Sequence, residues 1–347
     1  MKLSRILPVF LLLISPCAAA RAAKSPHAAR KKNAAAKTKP AGATYLVPVK
    51  ISTAGYKHLW GTETDDRLIS YLGHETPELR AEAATELGRR QCMPAVGALI
   101  IRLTDSSPLA SSAAVTALAG YADQSVSKDL LDELDSPDEP LVKKVIFTLG
   151  RRGDPATRDR LSLIVRKGPD QYRADAAAAL GVMGLNQAGE SLLFVVDASK
   201  DNPPELVLSC IDSLRRIYYP RAIPALMELA QEKHGPFRAP AFNTLCAMRN
   251  RAAWPLFVQQ LNTPQRAAAL DCIRNLRDDT LADKLKRLLK SKDSGESSAA
   301  AQLLAEMDTP EIIEYLLTLD DDQYTDEAIK AARSEVKKRH LIPHEEQ

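Results

Sequence analysis

The amino-acid sequence predicts an all-α fold, an α-solenoid of about eight stacked helical hairpins. Three observations support this prediction: a repeat of about 31 residues, a column of small side chains and a column of large apolar ones. The letters LGRR occur at Leu87 and again at Leu149, 62 residues apart, and half of that distance leads to Leu118 and Leu180. A fixed period of this length is typical of stacked helical repeats.

The same register continues towards the C-terminus. Beyond Leu180 the steps are 34, 31, 28 and 31 residues, and the longest step contains the loop DASKDNPPE. The eight anchor positions are Leu87, Leu118, Leu149, Leu180, Leu214, Leu245, Ile273 and Leu304.

Two further columns accompany the anchors. Four residues before the anchors the side chains are small: Ala83, Ala114, Val145, Ala176, Cys210, Ala241, Ala269 and Ala300. Twelve residues after the anchors they are large and apolar: Leu99, Leu130, Leu161, Leu192, Leu226, Phe257, Leu285 and Leu316. The small column lets neighbouring helices approach closely, and the large column fills the space between the two helices of a hairpin. Since no hairpin can bury its apolar stripe alone, the hairpins must stack.

The pattern PELRAEAATELGRRQCMPAVGALIIRL, residues 77–103, resembles the HEAT-repeat family, in the short form associated with phycobilin-lyase subunits. The arginine seven residues before the anchor matches the family in four units, at Arg80, Arg173, Arg238 and Arg266. The other four units carry Ser111, Val142, Val207 and Ser297 there. The resemblance implies a HEAT-like superhelix over 77–321 and says little about function, because such solenoids serve many unrelated partners.

The N-terminus predicts export. Lys2 and Arg5 precede the apolar run 6–14, and small residues follow up to Ala20 or Ala22, which is the layout of a secretory signal over residues 1–22. The run is too short to span a bilayer. We therefore expect the bacterial periplasm or cell envelope. Lipidation of Cys17 is a second interpretation, although Pro16 departs from the lipoprotein pattern.

Residues 23–58 predict a flexible basic tether, rich in Ala, Lys and Pro. No acidic residue precedes Glu63, so eleven Lys and Arg residues up to Lys57 stand unopposed. The other 36 basic residues accompany all 44 acidic ones, which leaves the rest of the chain at a net charge of about −8. The tether can contact an anionic membrane or envelope polymer, or it can serve as a solvated spacer.

The repeats are predicted to end in polar caps, which solenoids need for solubility. Residues 59–76 contain a half-repeat, and residues 322–347 contain a capping helix and a tail. That helix begins with acidic and ends with basic residues, which complements the helix dipole.

No catalytic or metal-binding motif is found. The cysteines form no C-x-x-C pair, and the His-Glu pairs at His74 and His344 do not repeat as they do in the HEAT-type deoxyhypusine hydroxylases. We therefore expect a protein without enzymatic activity, metal or cofactor. Cys246 and Cys272 flank consecutive anchors and can form a disulfide if their Cα atoms come within about 7 Å.

In HEAT-type stacks the second helix of each hairpin faces the partner. Positions ten, fourteen and seventeen after the anchor lie opposite the large apolar column. They hold nine acids, at Asp132, Asp135, Asp159, Glu190, Asp197, Glu228, Asp283, Glu314 and Asp321, against Lys128, Arg166, Arg287 and Lys290. This mildly acidic face argues against nucleic acid and suits either a protein partner or a solvated surface.

One cluster combines residue types that are enriched at binding hot spots. It comprises Arg216, Tyr219, Arg221, Arg251 and Trp254, at the turns of adjacent units. The alternative is that these aromatic rings seal the joints between repeats. The sequence as a whole predicts an exported, non-catalytic protein-interaction scaffold. The second hypothesis is a structural envelope component, anchored by its basic tail or by lipid on Cys17.

Overall fold

The computed structural model describes residues 60–232, 235–276, 278–307, 309–319 and 327–340. Within these ranges the chain forms α-helices and short 3₁₀ turns, without a β-strand. The predicted all-α solenoid is confirmed. No helix in the described ranges has both the length and the apolar character needed to cross a bilayer.

The first helix, α1, is Asp65–Tyr71, and eight hairpins follow it. We number these hairpins as units one to eight. Their helices are α2 Pro77–Arg89 and α3 Val96–Arg102; α4 Pro108–Gly120 and α5 Ser125–Asp132; α6 Glu139–Arg152 and α7 Arg158–Lys167; α8 Asp170–Met183 and α9 Gly189–Asp197; α10 Pro204–Arg216 and α11 Ile223–Gln231; α12 Arg238–Met248 and α13 Trp254–Gln259; α14 Arg266–Arg274 and α15 Leu281–Leu288; α16 Ser294–Met307 and α17 Pro310–Thr318. The last helix, α18, is Glu327–His340.

All three predicted columns lie in the core. Each anchor, each small residue before it and each large apolar residue after it is 0% exposed. They belong to one continuous apolar cluster that runs from Trp60 to Val336. The repeated residues therefore form the contacts between layers, because every layer covers the apolar side of the next.

The glycine of LGRR permits a close helix approach. A β-carbon on Gly88 would lie 2.7 Å from the Cβ atom of Ala117 in the next first helix. One on Gly150 would lie 2.8 Å from the backbone Cα atom of Ala179. These contacts are shorter than packed carbon atoms tolerate. Glycine is needed where consecutive first helices cross.

In units one and three, the final arginine of LGRR ties the unit to the preceding turn. Arg90 donates hydrogen bonds to the carbonyl oxygens of Trp60, at 2.5 Å, and Glu63, at 2.7 Å. Arg152, at the same register, donates to the carbonyl oxygen of Tyr121 at 2.5 Å. The guanidinium thus satisfies carbonyl groups at a helix end and turn that would otherwise lack partners.

The same register is filled differently in the other units. In unit two, the hydroxyl of Tyr121 donates to the carbonyl of Cys92 at 2.9 Å. Units four to eight have apolar side chains there: Met183, Ile217, Met248, Leu276 and Met307. The polar form of this tie is therefore confined to units one to three.

The position seven residues before the anchor makes a second tie. Ser111, Arg173 and Arg266 each donate to a main-chain carbonyl near the end of the preceding second helix. The donor–acceptor distances are 2.6 Å to Leu103, 2.9 Å to Val165 and 3.2 Å to Leu261. Ser111 in unit two thus makes the same kind of hydrogen bond to the main chain as Arg173 and Arg266 make in units four and seven.

Arg80 occupies this position in unit one and forms a buried ion pair. Its guanidinium donates to both carboxylate oxygens of Asp105, at 2.8 and 2.6 Å, and to the carbonyls of His74 and Glu75. Burial acts to raise the pKa of Asp105, but hydrogen bonds from Arg80 and the Ser107 main chain outweigh it, and that pKa lies below its ordinary value. Asp105 is therefore held ionised.

A disulfide bond joins Cys246 of α12 to Cys272 of α14, with the Cα atoms 4.9 Å apart. These are the two shortest first helices, with 11 and 9 residues, whereas the others have 13 or 14. The covalent bond therefore lies at the joint where the first helices offer the least length for packing. Cys92 and Cys210 are buried free thiols.

Replacing Gly150 with Ala should destabilise the stack by about 1–3 kcal/mol, because the new methyl group meets backbone that must move. Guanidinium-induced unfolding followed by circular dichroism measures this. Gly120→Ala is the matched control, since a β-carbon there meets nothing within 4 Å. Equal effects of the two substitutions would contradict the close-approach role of Gly150.

Asp105→Asn should cost about 3 kcal/mol at pH 7, because it leaves the buried Arg80 without a counter-charge. The folded-state pKa of Asp105 is lowered, so its contribution is present above the unfolded pKa of about 4 and is lost as the pH falls through the folded value. Denaturant midpoints of both proteins at pH 7 and pH 3 should therefore differ most at pH 7. Asp66→Asn, at an exposed position on α1, is the control. A difference in midpoint between the unchanged protein and Asp105→Asn that does not vary with pH would contradict the ionised state of Asp105.

Candidate functional site

The second helices present the predicted surface, which we call the second-helix face. It comprises the positions ten, fourteen and seventeen residues after each anchor. The eight described acids and the four basic residues predicted there are all exposed, so these positions point away from the core as expected. Asp321 lies outside the described residues.

This face also carries apolar side chains that the sequence analysis missed. At position fourteen, Ile101, Leu163 and Phe194 are 50%, 47% and 49% exposed. We call these three the exposed apolar row. They occupy the same register positions as the charged residues of this face, so the repeat period is the sequence signal that locates them. An exposed aromatic ring beside exposed aliphatic groups is typical of an interaction surface.

Part of the row borders an open cleft between α7 and α9. The cleft has a volume of about 520 Å³ and is lined by Arg158, Asp159, Ser162, Leu163, Arg166, Lys167, Gln187 and Ser191. The guanidinium of Arg166 lies over the ring of Phe194, 4.7 Å from its centroid. The lining offers serine hydroxyls without a histidine or cysteine beside them. It is suited to contact a chain segment rather than to activate a nucleophile.

Negative charge collects at the neighbouring helices α9 and α11. The pKa of Asp197, which is exposed, is raised by partial desolvation from neighbouring protein atoms and, in addition, by the nearby carboxylates of Glu190 and Glu228. Glu190 is itself compensated, since its carboxylate accepts from the Tyr219 hydroxyl at 2.5 Å and pairs with Arg221 at 2.7 Å. The surplus negative charge therefore lies at Asp197 and Glu228.

The structure places Tyr219 in a joint between units. Its side chain is only 8% exposed, and a β-carbon on Gly189 would lie 2.3 Å from its ring. The ring therefore packs flat on the bare backbone at the start of α9. This placement agrees with the alternative in which aromatic rings seal the repeats.

The other members of the predicted cluster are dispersed. Arg216 pairs with Asp212 at 2.7 Å within α10, and Arg221 reaches Glu190. Trp254 is half-buried, with the Lys284 ammonium 5.6 Å from its ring centroid, and Arg251 is exposed in the preceding 3₁₀ turn. Of the five residues, the structure brings Tyr219 and Arg221 together on one carboxylate. Their partner-binding role stays a prediction.

The exposed large apolar side chains are unevenly distributed along the stack. In the described ranges they all fall in units one to five: Ile101, Leu109, Phe147, Leu163, Val182, Phe194, Leu208 and Tyr218. Across those same ranges, no group of three or more His, Cys, Asp or Glu side chains is arranged to hold a metal ion. The first five units are thus the part best equipped for apolar contact.

Comparison with known proteins agrees with this architecture. The family model for HEAT repeats matches residues 64–147 and 96–181. No curated protein sequence matches the chain with significance.

Solved structures with a similar arrangement include an engineered protein, the CpcE–CpcF complex of phycocyanin lyase from Nostoc sp. PCC7120, and importin beta. The engineered protein is 17% identical, with 82% of this chain and 91% of that chain covered and a TM-score of 0.41. The CpcE–CpcF complex is 16% identical, with 86% of this chain and 100% of that chain covered and a TM-score of 0.32. Importin beta is 14% identical, with 81% of this chain and 45% of that chain covered and a TM-score of 0.44. At these identities and scores, no functional property is transferred from them.

The repeat columns, the hairpin stack and the family match over 64–181 agree on one assignment. Residues 64–181 match the HEAT-repeat model, and the hairpins that follow repeat the same anchors and buried columns.

Proposed function

We propose that this protein is an exported, non-catalytic scaffold that binds a protein partner in the periplasm or cell envelope. The observation that carries the proposal is the exposure of Leu163 and Phe194, each nearly half accessible, on the second-helix face of a stack of HEAT repeats. A solenoid buries apolar side chains at every layer, so large ones left outside mark surface available for contact.

Three features of this face favour protein binding over catalysis. Apolar side chains lie among charged ones on this face, which suits a partner segment of mixed character. The cleft between α7 and α9 is open, and no histidine or cysteine lines it. An aromatic ring with a guanidinium stacked on it is a typical anchor of protein interfaces.

Two independent features support export. The first is the secretory layout of residues 1–22, which lie outside the described residues. The second is the Cys246–Cys272 disulfide, because such bonds persist mainly in oxidising compartments. The basic tether would then set the distance between the solenoid and the membrane or envelope polymer.

The double substitution Leu163→Ala and Phe194→Ala should lower recovery of the partner about tenfold, because it removes the apolar anchor. Crosslinking in intact cells, followed by affinity recovery and mass spectrometry, identifies and quantifies the partner. Phe147→Ala is the matched control, since Phe147 is 51% exposed on a first helix.

A partner that survives the double substitution but is lost with Arg216→Ala, Arg221→Ala and Arg251→Ala together would place the contact on the predicted cluster instead. Tyr219 is left unchanged in that variant because its removal would open a joint. Failure of every variant to change recovery would contradict a partner site on either surface.

Export predicts a shortened chain. Protein purified from the cell envelope should begin at Arg21 or Ala23, and its intact mass under non-reducing conditions should include the disulfide between Cys246 and Cys272. A lipid-modified product that begins at Cys17 and disappears in Cys17→Ser would support the anchored alternative. A full-length product that begins at Met1 with both thiols free would contradict export.

A further inference from the structure

The cleft between α7 and α9 carries more positive than negative charge. Its charged lining residues are Arg158, Arg166, Lys167 and Asp159. Asp159 is already engaged, since one oxygen of its carboxylate accepts from two nitrogens of the Arg158 guanidinium, at 2.8 and 2.7 Å. The side chains of Arg166 and Lys167 form no ion pair or hydrogen bond with any residue that the structure describes. Two cations in the cleft are therefore available to a ligand.

The charge of Arg166 is opposite to that of the equivalent residues in both neighbouring units. Seventeen residues after the anchor, units two, three and four carry Asp135, Arg166 and Asp197. Adjacent packed helices are about 10 Å apart, a separation that arginine and aspartate side chains can bridge. Arg166 nevertheless pairs with neither acid: Asp135 pairs with Arg160 at 2.6 Å, and the Arg166 guanidinium lies over the ring of Phe194. The charge of Arg166 is thus directed into the cleft.

Hydroxyl and amide groups complete the lining. Ser191, in the first turn of α9, is only 9% exposed, and its hydroxyl forms no hydrogen bond with another residue of the described ranges. The side chains of Ser162 and Gln187 likewise have no hydrogen-bond partner there. An unpaired buried hydroxyl costs free energy, which an acceptor in the cleft would recover. Donors that converge beside two free cations, near the positive end of the α9 dipole, form a site for an oxyanion.

The surroundings of the cleft favour a single carboxylate over a row of anionic groups. The surplus negative charge at Asp197 and Glu228 lies on the neighbouring helices and repels any second anion there. An anionic membrane or a nucleic acid presents its phosphates in rows and would meet that repulsion. Leu163 lines the cleft and Phe194 borders it, so an apolar side chain fits beside the carboxylate. A protein segment supplies this combination.

We propose that the cleft binds one aspartate or glutamate side chain of the partner protein, and that Leu163 and Phe194 contact the apolar side chain next to it. The carboxylate accepts hydrogen bonds from Arg166, Lys167 and the hydroxyl of Ser191. The cleft volume of about 520 Å³ is in the range of ordinary ligand pockets and accommodates both side chains. This inference rests on the proposed scaffold function and specifies the chemistry that the second-helix face recognises.

A random peptide library displayed on phage tests the inference without knowledge of the partner. Selection on the purified protein should enrich peptides that contain Asp or Glu beside a large apolar residue. Selection on Arg166→Gln with Lys167→Gln should retain the apolar residue and lose the acidic one, because only the charged side of the cleft is altered. Lys144→Gln with Arg151→Gln is the matched control, since both residues are exposed and unpaired on the first helix of the same unit, among the described residues. It should retain both preferences.

Fluorescence anisotropy with a synthetic peptide of the enriched sequence measures the affinity. Arg166→Gln with Lys167→Gln should weaken binding about tenfold, and replacing the acid of the peptide with its amide should do the same. The two changes together should cost little more than either alone, because they remove the same contact. Ser191→Ala should weaken binding about threefold. Circular dichroism of each variant verifies that the helices are intact.

The outcomes separate this inference from the proposed scaffold function. Enriched peptides that require Phe194 but show no preference for an acid would overturn the acid site and leave the scaffold function standing. Effects of the protein and peptide changes that simply add would do the same. Absence of any enriched peptide, together with unchanged partner recovery by the Leu163→Ala and Phe194→Ala variant, would overturn both. Phosphatidylglycerol vesicles that bind the unchanged protein but not Arg166→Gln with Lys167→Gln would assign the cleft to anionic lipid instead.

Discussion

The close approach of consecutive first helices is the constraint on which the structure depends. Where glycine or alanine stands at a crossing, the backbones themselves are in contact, as at Gly88 over Ala117 and Gly150 over Ala179. This contact sets the spacing of the layers, and a column of leucine or phenylalanine then fills the remaining gap inside each hairpin. Small and large residues are complementary parts of one packing solution.

Stacking helices this closely places their ends near one another, and the polar ties follow from that. Main-chain carbonyls at the end of one helix would be buried without partners, and side chains of the next unit donate to them. Ser111, Arg173 and Arg266 act at one end of the hairpin, and Arg90, Tyr121 and Arg152 act at the turn. The LGRR motif combines both needs, with glycine for the crossing and arginine for the turn.

Much of this architecture could be predicted from the sequence, because a fixed period places chemically equivalent residues in equivalent positions. Anchors, small residues and large apolar residues all proved to be in the core. The sequence leaves two interpretations of Tyr219 open and cannot decide between them, because its burial depends on the missing side chain of Gly189, thirty residues away along the chain. The roles of Arg90 and Arg152 were hidden because their acceptors are main-chain carbonyls, which carry no sequence signal. The exposed apolar row falls on the same register positions as the charged residues and is therefore predictable from the repeat.

The uneven reinforcement of the stack has a consequence for how the molecule comes apart. A linear array in which each layer touches only its neighbours loses cooperativity at its weakest interface. Polar ties at the turn reinforce units one to three, whereas the short helices α12 and α14 rely on a covalent bond between Cys246 and Cys272. In a reducing environment this joint would keep only the packing of two short helices and the hydrogen bond from Arg266 to the Leu261 carbonyl, and would be the place where the stack can divide. The oxidation state of one cysteine pair would then decide whether this chain behaves as one folding unit or two.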